Sequence, residues 1–292
     1  YYSQSTFIRI YDISDRSSPK LKGNYSIEGN YYDSRMIGDY VYAVVNKNVY
    51  YYGDEVVIPR ISSGGEASPA CNCVDVYYFD VPDSSYHFST IVAVNTQSNE
   101  AAESKVFLMG YTQNMYVSQN NIYITYQKRL SQNYYYEKLI KEVLIPSAPG
   151  DLFPRINEII SYNISMYSKL QKIQKLFDSY QRSLSDTERY NLQKKVEERM
   201  NKVQEEFARE TMKTVVHRIA IDGSKIEHKA EGEVPGTVLN QFSMDEFNGY
   251  FRIATTTGEV WRSDIPSKNH VYVLDSDLKI AGRVEDLAPG ER

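Results

Sequence analysis

The chain has 292 residues, with 33 basic and 38 acidic side chains, so its formal net charge is −5 at pH 7. This charge argues against a dedicated nucleic-acid-binding protein, whose binding surface is as a rule basic. Hydrophobic residues make up 41% and charged residues 24% of the chain, which is typical of a globular protein and excludes wholesale disorder. No run of about 18 apolar residues occurs, so the sequence predicts no transmembrane helix.

Tyrosine is unusually frequent, with 27 copies, and it alternates with valine in residues 40–42 and is tripled in residues 134–136. Aromatic and β-branched residues fit the pleated surface of a strand. The composition therefore predicts a mainly β fold. With two cysteines the chain cannot be a disulfide scaffold, so its core has to be held together by packing.

Four segments repeat one pattern: an alternating strand, an Asp or Asn turn, a second strand and a glycine. The turn residues and their glycines are Asp12 with Gly29, Asn95 with Gly110, Asp222 with Gly236, and Asp275 with Gly290. The intervals of 17, 15, 14 and 15 residues are too similar to be accidental. Asp and Asn suit such turns because their side chains accept hydrogen bonds from the backbone that follows.

Behind the glycine, the first three segments continue with a further turn and strand, for example residues 40–45. This strand is apolar on both faces and therefore needs cover on both sides. Radially arranged sheets supply such cover, so the repeat predicts a partial β-propeller with about four to five blades in this chain. A β-sandwich is the alternative, but it gives no reason for the repeat.

Two insertions interrupt the repeat. The first, at about 52–76, is rich in Ser, Gly and Pro and is predicted to be a loop. The second, 150–213, is predicted to be an antiparallel helical hairpin because apolar residues recur at heptad spacing. Pro154 opens the first helix, whose apolar positions are Met166, Leu170, Ile173, Phe177, Tyr180 and Leu184. Ser185 and Glu188 form a capping-box pair that opens the second helix, whose apolar positions are Leu192, Val196, Met200, Val203 and Phe207.

These elements divide the chain into three parts: first blades at 1–149, the helical hairpin at 150–213 and later blades at 214–292. Acidic and basic residues interleave along the second helix, which a solvated surface explains. Ordering a pair of helices inserted between blades nevertheless costs conformational entropy, which a contact with another molecule would offset. Our hypothesis is that the hairpin serves as an interaction arm.

Cys71 and Cys73 are the candidates for a chemical site. Two thiols two residues apart can form a small strained disulfide, bind a soft metal ion or stay free, and the sequence leaves these three alternatives open. A tetrahedral zinc site would need two further ligands, for which Asp75 and His87 are nearby candidates.

The sequence predicts no catalytic residue. The four histidines are His87, His217, His228 and His270, and no two have ligand-like helical spacing. His217 and His270 occupy equivalent strand positions in two repeats, which favours structural roles. The sequence also contains no G-x-S-x-G elbow and no phosphate-binding glycine loop.

Asn24 and Asn163 fit the acceptor pattern for N-glycosylation. Asn163 lies at a predicted seam position, where a glycan would clash. Asn24 is therefore the glycosylation candidate.

Three stretches resemble a known family. They are Ile-Arg-Ile-Tyr-Asp-Ile-Ser-Asp within residues 6–29, Ser-Arg-Met-Ile-Gly-Asp-Tyr-Val-Tyr at 34–42, and Cys-x-Cys-x-Asp-x-Tyr-Tyr at 71–78. They are similar to archaeal and bacterial secreted proteins with a C-terminal β-propeller distantly related to WD repeats, and the resemblance covers nearly the whole chain. It implies an exported or surface-attached protein with no catalytic residues to carry over. It also implies that this chain is a piece of a longer propeller.

We therefore expect a non-catalytic β-propeller, extracellular or at the cell surface, that binds a protein or cell-surface ligand with the helical hairpin as an interaction arm. The rest of a longer propeller, or a second copy of the chain, is a further candidate partner, because unpaired strand edges need cover. No cofactor is predicted, apart from the metal ion considered for Cys71 and Cys73. Two alternatives stay open: a metal-dependent enzyme with its site in the propeller channel or at the Cys-x-Cys loop, and a structural envelope component.

Overall fold

The structure, a computed structural model, describes residues 4–52, 55–79, 86–98, 100–258 and 267–291. The chain divides into two compact units. The β unit combines Tyr1–Lys128 with Met212–Arg292, and the helical unit is Arg129–Thr211.

The β unit contains four sheets of four or five strands and one two-stranded sheet in the described residues. In chain order the strands are β1 (Ser5–Asp12), β2 (Lys20–Glu28), β3 (Asn30–Ile37), β4 (Tyr40–Asn48), β5 (Tyr51–Tyr52), β6 (Glu55–Val56), β7 (Arg60–Ser63), β8 (Ser68–Pro69), β9 (Tyr77–Tyr78), β10 (Tyr86–Asn95), β11 (Glu103–Gly110), β12 (Asn114–Val117), β13 (Asn121–Gln127), β14 (Lys213–Asp222), β15 (Lys225–Pro235), β16 (Met244–Phe247), β17 (Tyr250–Thr257), β18 (Lys268–Leu274) and β19 (Ile280–Leu287). The sheet orders are β1-β2-β7-β8 for sheet 1, β3-β4-β10-β11-β9 for sheet 2, β12-β13-β14-β15 for sheet 3 and β16-β17-β18-β19 for sheet 4, with β5-β6 apart.

The sheets pack face to face in chain order through apolar clusters. Strand β4 contributes to two of them, because Tyr42 and Val44 face sheet 3 whereas Val45 faces sheet 1. The contact between sheets 3 and 4 includes the rings of Tyr123 and Phe251, which stack at a centroid distance of 4.0 Å. Each such fully buried side chain contributes about 1.5–3 kcal/mol to folding. The predicted need for cover on both faces of residues 40–45 is confirmed, and the packing is not that of a two-sheet sandwich.

The sequence repeat is out of phase with the sheets. The hairpins β10–β11, β14–β15 and β18–β19 contain the first two strands of the repeat, which are the third and fourth strands of their sheets, while the strand behind each of the first three repeat glycines belongs to the next sheet. Strand β4, for example, pairs with β3 and β10. The repeat unit proposed from the sequence is therefore wrong in its phase, because a hairpin is readable locally whereas the pairing of distant strands is not. The count of four to five blades stays a prediction, since sheet 1 takes two of its strands from the first insertion.

Two of the repeat glycines permit the chain to cross from one sheet to the next. Gly29 has φ of 127° and Gly236 has φ of 87°, values that L-residues rarely adopt. A Cβ on Gly29 would lie 2.6 Å from the carbonyl oxygen of Asn46, and one on Gly236 would lie 2.9 Å from Thr255 Oγ1. Gly110, in contrast, lies within β11.

The first insertion contains strands as well as loop. β7 pairs with β2 and β8 pairs with β7, and directly after the insertion β9 pairs in parallel with β11. Ile61 on β7 packs against the cluster that holds Tyr25 and Ile27. The prediction of a loop at about 52–76 was therefore wrong in part, because short strands gain their stability from a neighbouring sheet edge and leave little local signal.

The helical unit has more helices than the two-helix hairpin predicted from the sequence. They are α1 (Gln132–Lys138), a π-helical turn (Leu139–Leu144), α2 (Ile145–Ser147), α3 (Phe153–Ser161), α4 (Met166–Gln181) and α5 (Asp186–Thr211), with a 3-10 turn at Gly150–Leu152. The predicted first helix is divided before Met166, where Ser165 Oγ caps α4 by accepting from Ser168 N at 3.2 Å. The predicted capping box is confirmed, since Glu188 Oε2 accepts from Ser185 N at 3.0 Å. None of the described helices combines the length and apolarity that a membrane span requires.

The core of the helical unit confirms part of the heptad pattern. Leu170, Ile173 and Phe177 of α4 are buried in one cluster with Val203 of α5. The unit also begins at Arg129, well before the boundary expected at residue 150. The sequence places this boundary too late because the tyrosine triplet at 134–136 has a strand preference, whereas in the structure it lies in α1. Packing overrides this preference, since the rings of Tyr135 and Phe207 lie 4.8 Å apart.

We predict that replacing residues 129–211 with Gly-Asn-Gly leaves the β unit folded. The two ends of the β unit at this point are neighbours, because Lys128 N donates to Lys213 O at 2.9 Å and Gln127 pairs with Thr214. The circular dichroism spectrum of the shortened chain should keep its β signal, and this signal should be lost on heating in a single cooperative transition. Loss of that transition would show that the β unit depends on the helices.

We also predict that Gly236→Ala lowers the free energy of unfolding by about 1–3 kcal/mol, because alanine would be held at a strained positive φ. The matched control is Gly65→Ala, at a position where an added Cβ meets no atom within 4 Å. Urea unfolding monitored by fluorescence measures both variants. Equal stabilities of the two would contradict the crossing role of Gly236.

Candidate functional site

Cys71 and Cys73 lie at the short 3-10 turn Cys73–Asp75, and neither thiol is part of a disulfide in the structure. Cys71 is half-buried against a cluster that includes Phe88, whereas Cys73 is exposed. Burial, followed by the nearby Asp75 carboxylate, raises the pKa of the Cys71 thiol. The His87 ring lies against Tyr111 at a centroid distance of 4.9 Å. Among the described residues, neither cysteine belongs to a group of three side chains close enough to share a metal ion. The disulfide and metal hypotheses for Cys71 and Cys73 stay predictions.

Asn24 lies within β2 and is exposed. Its Oδ1 accepts a hydrogen bond from Arg9 Nε at 3.4 Å, on the neighbouring strand β1. Glycosylation of Asn24 stays a prediction.

Two of the recurring aspartates, Asp12 and Asp275, accept hydrogen bonds from the backbone of their turns. Asp12 Oδ1 accepts from Ser14 N at 2.9 Å, and Asp275 Oδ1 accepts from Asp277 N at 2.9 Å. The hydrogen bonds from Ser14 also lower the pKa of the Asp12 carboxyl. These contacts explain why Asp occupies the turn position in these two repeats.

The first strands of sheets 2, 3 and 4 lie close together. The hydroxyl of Tyr32 on β3 donates to Gln113 O, just before β12, at 2.5 Å. Glu246 N on β16 donates to the hydroxyl of Tyr116 on β12 at 3.2 Å. Arg35 Nη2 on β3 donates to Gln241 Oε1, just before β16, at 2.8 Å. The three strands therefore converge, as the inner strands of a propeller do.

A cavity of about 280 Å³ lies where these strands converge, and we call it the inner cavity. It is lined by Arg35, Met115, Tyr116, Val117, Gln241, Phe242 and Met244. Phe242 is 88% exposed, although its backbone is held in a 3-10 turn in which Asn240 Oδ1 accepts from Phe242 N at 2.9 Å. The Arg35 guanidinium is held between Gln241 and Asp33, the latter at 2.7 Å. The inner cavity thus presents an aromatic ring and a positioned cation to solvent.

A larger cavity of about 450 Å³ lies beside Glu28, Lys47 and Arg60. The Glu28 carboxylate there is already bound, because its Oε2 accepts from Lys47 Nζ at 2.6 Å and from the backbone N of Arg60 at 3.2 Å, and the Arg60 guanidinium donates to Ala67 O. A ligand there would have to compete with these contacts. The inner cavity is therefore the stronger candidate for recognition.

The structure separates two histidines that the sequence treats as equivalent. His270 is buried with both ring nitrogens occupied, since Nε2 contacts Thr257 Oγ1 at 2.8 Å and Nδ1 accepts from Asp286 N at 3.2 Å. The structural role predicted for His270 is supported by these contacts. His217 is also buried, but its Nδ1 has no hydrogen-bond partner among the described residues.

His217 and His228 lie side by side on β14 and β15, with ring centroids 5.6 Å apart. Burial, with a smaller contribution from His228, lowers the pKa of His217 to about 3, and burial also lowers the pKa of His228. Both rings are therefore neutral at pH 7. The sequence has no two histidines at ligand-like helical spacing, and helical spacing does not reveal the pairing of two strands across a hairpin, which brings these two together.

The whole chain, residues 1–292, matches the family described as Beta propeller domain. The chain belongs to this family. An uncharacterized protein of Methanocaldococcus jannaschii is 30% identical over 290 residues, which are 98% of this chain and 44% of that protein. An uncharacterized protein of Archaeoglobus fulgidus is 29% identical over 273 residues, which are 90% of this chain and 41% of that protein. The β-propeller domain therefore spans less than half the length of these two archaeal relatives.

We predict that Cys73 of this β-propeller domain reacts with iodoacetamide faster than Cys71. The thiolate is the reactive form, and the raised pKa of Cys71 reduces its thiolate fraction. Peptide mass spectrometry of samples alkylated for increasing times at pH 8 measures both rates. Equal rates, or a mass lower by two hydrogens before reduction, would contradict two free thiols of unequal reactivity.

Proposed function

We propose that this β-propeller domain is a non-catalytic binding module that recognises a protein partner at the inner cavity. The observation that carries the proposal is the pairing of a nearly fully exposed Phe242 with an Arg35 guanidinium that two neighbours hold in place. Aromatic and arginine side chains are the residue types enriched where protein interfaces concentrate their binding energy.

The geometry favours a segment of a protein over a small cofactor. The inner cavity of about 280 Å³ lies at the lower limit of ligand pockets, which are typically about 300–1,000 Å³. Such a cavity suits one inserted side chain. Because the turn at Asn240 and the contacts of Arg35 are already formed, binding would order few additional groups and would lose little affinity to entropy.

We further propose that the helical unit is an interaction arm. Val203 is the one buried residue among the 26 of α5. The exposed surface of α5 carries ion pairs four residues apart, such as Lys194 with Glu198 at 4.0 Å and Arg209 with Glu205 at 3.9 Å. Exposed pairs of this kind contribute little to stability. They leave a long charged surface that a partner of complementary charge can contact.

The remaining sheets of a longer propeller are a second proposed partner. On β1, Phe7 and Tyr11 are 58% and 49% exposed, while Thr6 on the opposite face is buried. Exposed aromatic side chains on one face of a strand favour a covering sheet. The relatives, with more than twice the matched length, have chain from which such a sheet could be built.

An extracytoplasmic location, exported or surface-attached, is also part of the proposal, and it is supported by the resemblance of residues 6–29, 34–42 and 71–78 to secreted propeller proteins.

The alternative of a metal-dependent enzyme placed its site in the channel or at the Cys-x-Cys loop. Among the described residues, the group able to share a metal ion lies instead on β14 and β15, the last two strands of sheet 3. This arrangement favours the binding role for the inner cavity.

Selection of a displayed random-peptide library on the wild-type domain tests the proposed function. We predict that synthetic peptides from the selected pool lose about 30-fold in affinity for Phe242→Ala, the effect of a hot spot of about 2 kcal/mol. The matched control is Phe247→Ala on β16, which removes a 58% exposed phenylalanine that does not line the inner cavity. Equal affinity for Phe242→Ala and Phe247→Ala would contradict recognition at the inner cavity.

A further inference from the structure

We propose that His217, His228 and Glu231 form a binding site for a divalent transition-metal ion such as zinc. One donor atom from each side chain lies within 4.8 Å of the other two. The site lies on the β14–β15 hairpin and does not depend on the proposed protein-binding role of the inner cavity.

A β-bulge brings the three side chains to one face of the sheet. His217 pairs with Glu231 and Ile219 pairs with His228, while the register shifts between Arg218 and Ile219. Side chains three positions apart on a regular strand point to opposite faces. The extra residue at Lys229 reverses this parity, so that His228 joins Glu231 on the face of His217.

Both histidines present an unused ring nitrogen. His217 Nδ1 and His228 Nε2 are buried and have no hydrogen-bond partner among the described residues. Buried polar atoms of this kind are uncommon, because each lost hydrogen bond to water costs free energy. Neutral imidazole with a free lone pair is also the form that binds metal ions.

The surroundings hold the His217 ring in an orientation that suits ligation through Nδ1. Its Nε2 lies 3.1 Å from the hydroxyl of Tyr126 on β13, which leaves Nδ1 for a metal ion when the proton is on Nε2. Such a contact to the second ring nitrogen is typical of metal-ligating histidines. The ring of Phe79 covers both imidazoles, at centroid distances of 4.0 Å to His217 and 4.7 Å to His228.

The donor set matches the preferences of zinc. Two imidazoles and one carboxylate bind zinc at about 2.0–2.2 Å, in a tetrahedral geometry that leaves a fourth position open. Ligand atoms around such an ion lie about 3.3–3.6 Å apart, so the present donors need to approach by about 1 Å. Glu231 is the exposed member of the group, and its negative charge offsets part of the charge of the ion.

The test is zinc titration of the full chain by calorimetry, after treatment with a chelator, in a Cys71→Ser/Cys73→Ser background that removes thiol binding. We expect one equivalent of zinc per chain. Glu231→Gln and His228→Gln should each weaken binding at least 10-fold, and Tyr126→Phe should weaken it about 10-fold as the loss of an orienting contact. Cobalt in place of zinc should give the visible absorption of a tetrahedral site, and this absorption should be lost in His228→Gln.

Two controls remove a similar group elsewhere: His87→Gln on β10 and Glu198→Gln on α5. Both should bind zinc as the parent does. Variants at His228 and Glu231 are preferred to a variant at His217, because His217 is completely buried and its substitution would disturb folding. Circular dichroism establishes that each variant is folded. Absence of zinc binding in the parent, or equal affinity of Glu231→Gln, His228→Gln and the two controls, would overturn the proposal.

Discussion

Apolar contact between successive sheets is the constraint on which the β unit depends. Strands β4 and β10 are buried on both faces, so that Val92 packs toward sheet 1 and Ile91 toward sheet 3. A small sheet with two apolar faces is unstable by itself and becomes stable between two neighbours. Insertions are accommodated between strands, and the helical unit follows this rule by entering between β13 and β14, where the two strand ends remain hydrogen-bonded.

The same packing creates both candidate sites. Convergence of the first strands of sheets 2, 3 and 4 leaves the inner cavity, with Arg35 and Phe242 at its edge. Packing of sheet 2 against sheet 3 buries His217 beneath Phe79 and keeps its ring neutral. The proposed recognition at the inner cavity and the proposed metal binding on β14–β15 therefore involve different parts of one architecture, and substitutions in one site should leave the other unchanged.

Features carried by neighbouring residues were predictable from the sequence, whereas those that depend on distant pairing were not. The two apolar faces of residues 40–45 and the Ser185–Glu188 capping box are local patterns, and the structure contains both. The phase of the sheets depends on which distant strands pair, and the tyrosine triplet at 134–136 is helical because of its packing. His228 lies beside His217 because of a β-bulge at Lys229, and no local residue pattern in the sequence predicts this bulge.

The most direct test of the central claim is a double-mutant cycle between Tyr123 of sheet 3 and Phe251 of sheet 4, whose rings stack at 4.0 Å with planes 8° apart. Urea unfolding of Tyr123→Leu, Phe251→Leu and the double variant gives the coupling free energy. Contact between the two sheets predicts a favourable coupling of about 0.5–1.5 kcal/mol. Additive effects of the two substitutions would contradict the packing of sheet 3 against sheet 4.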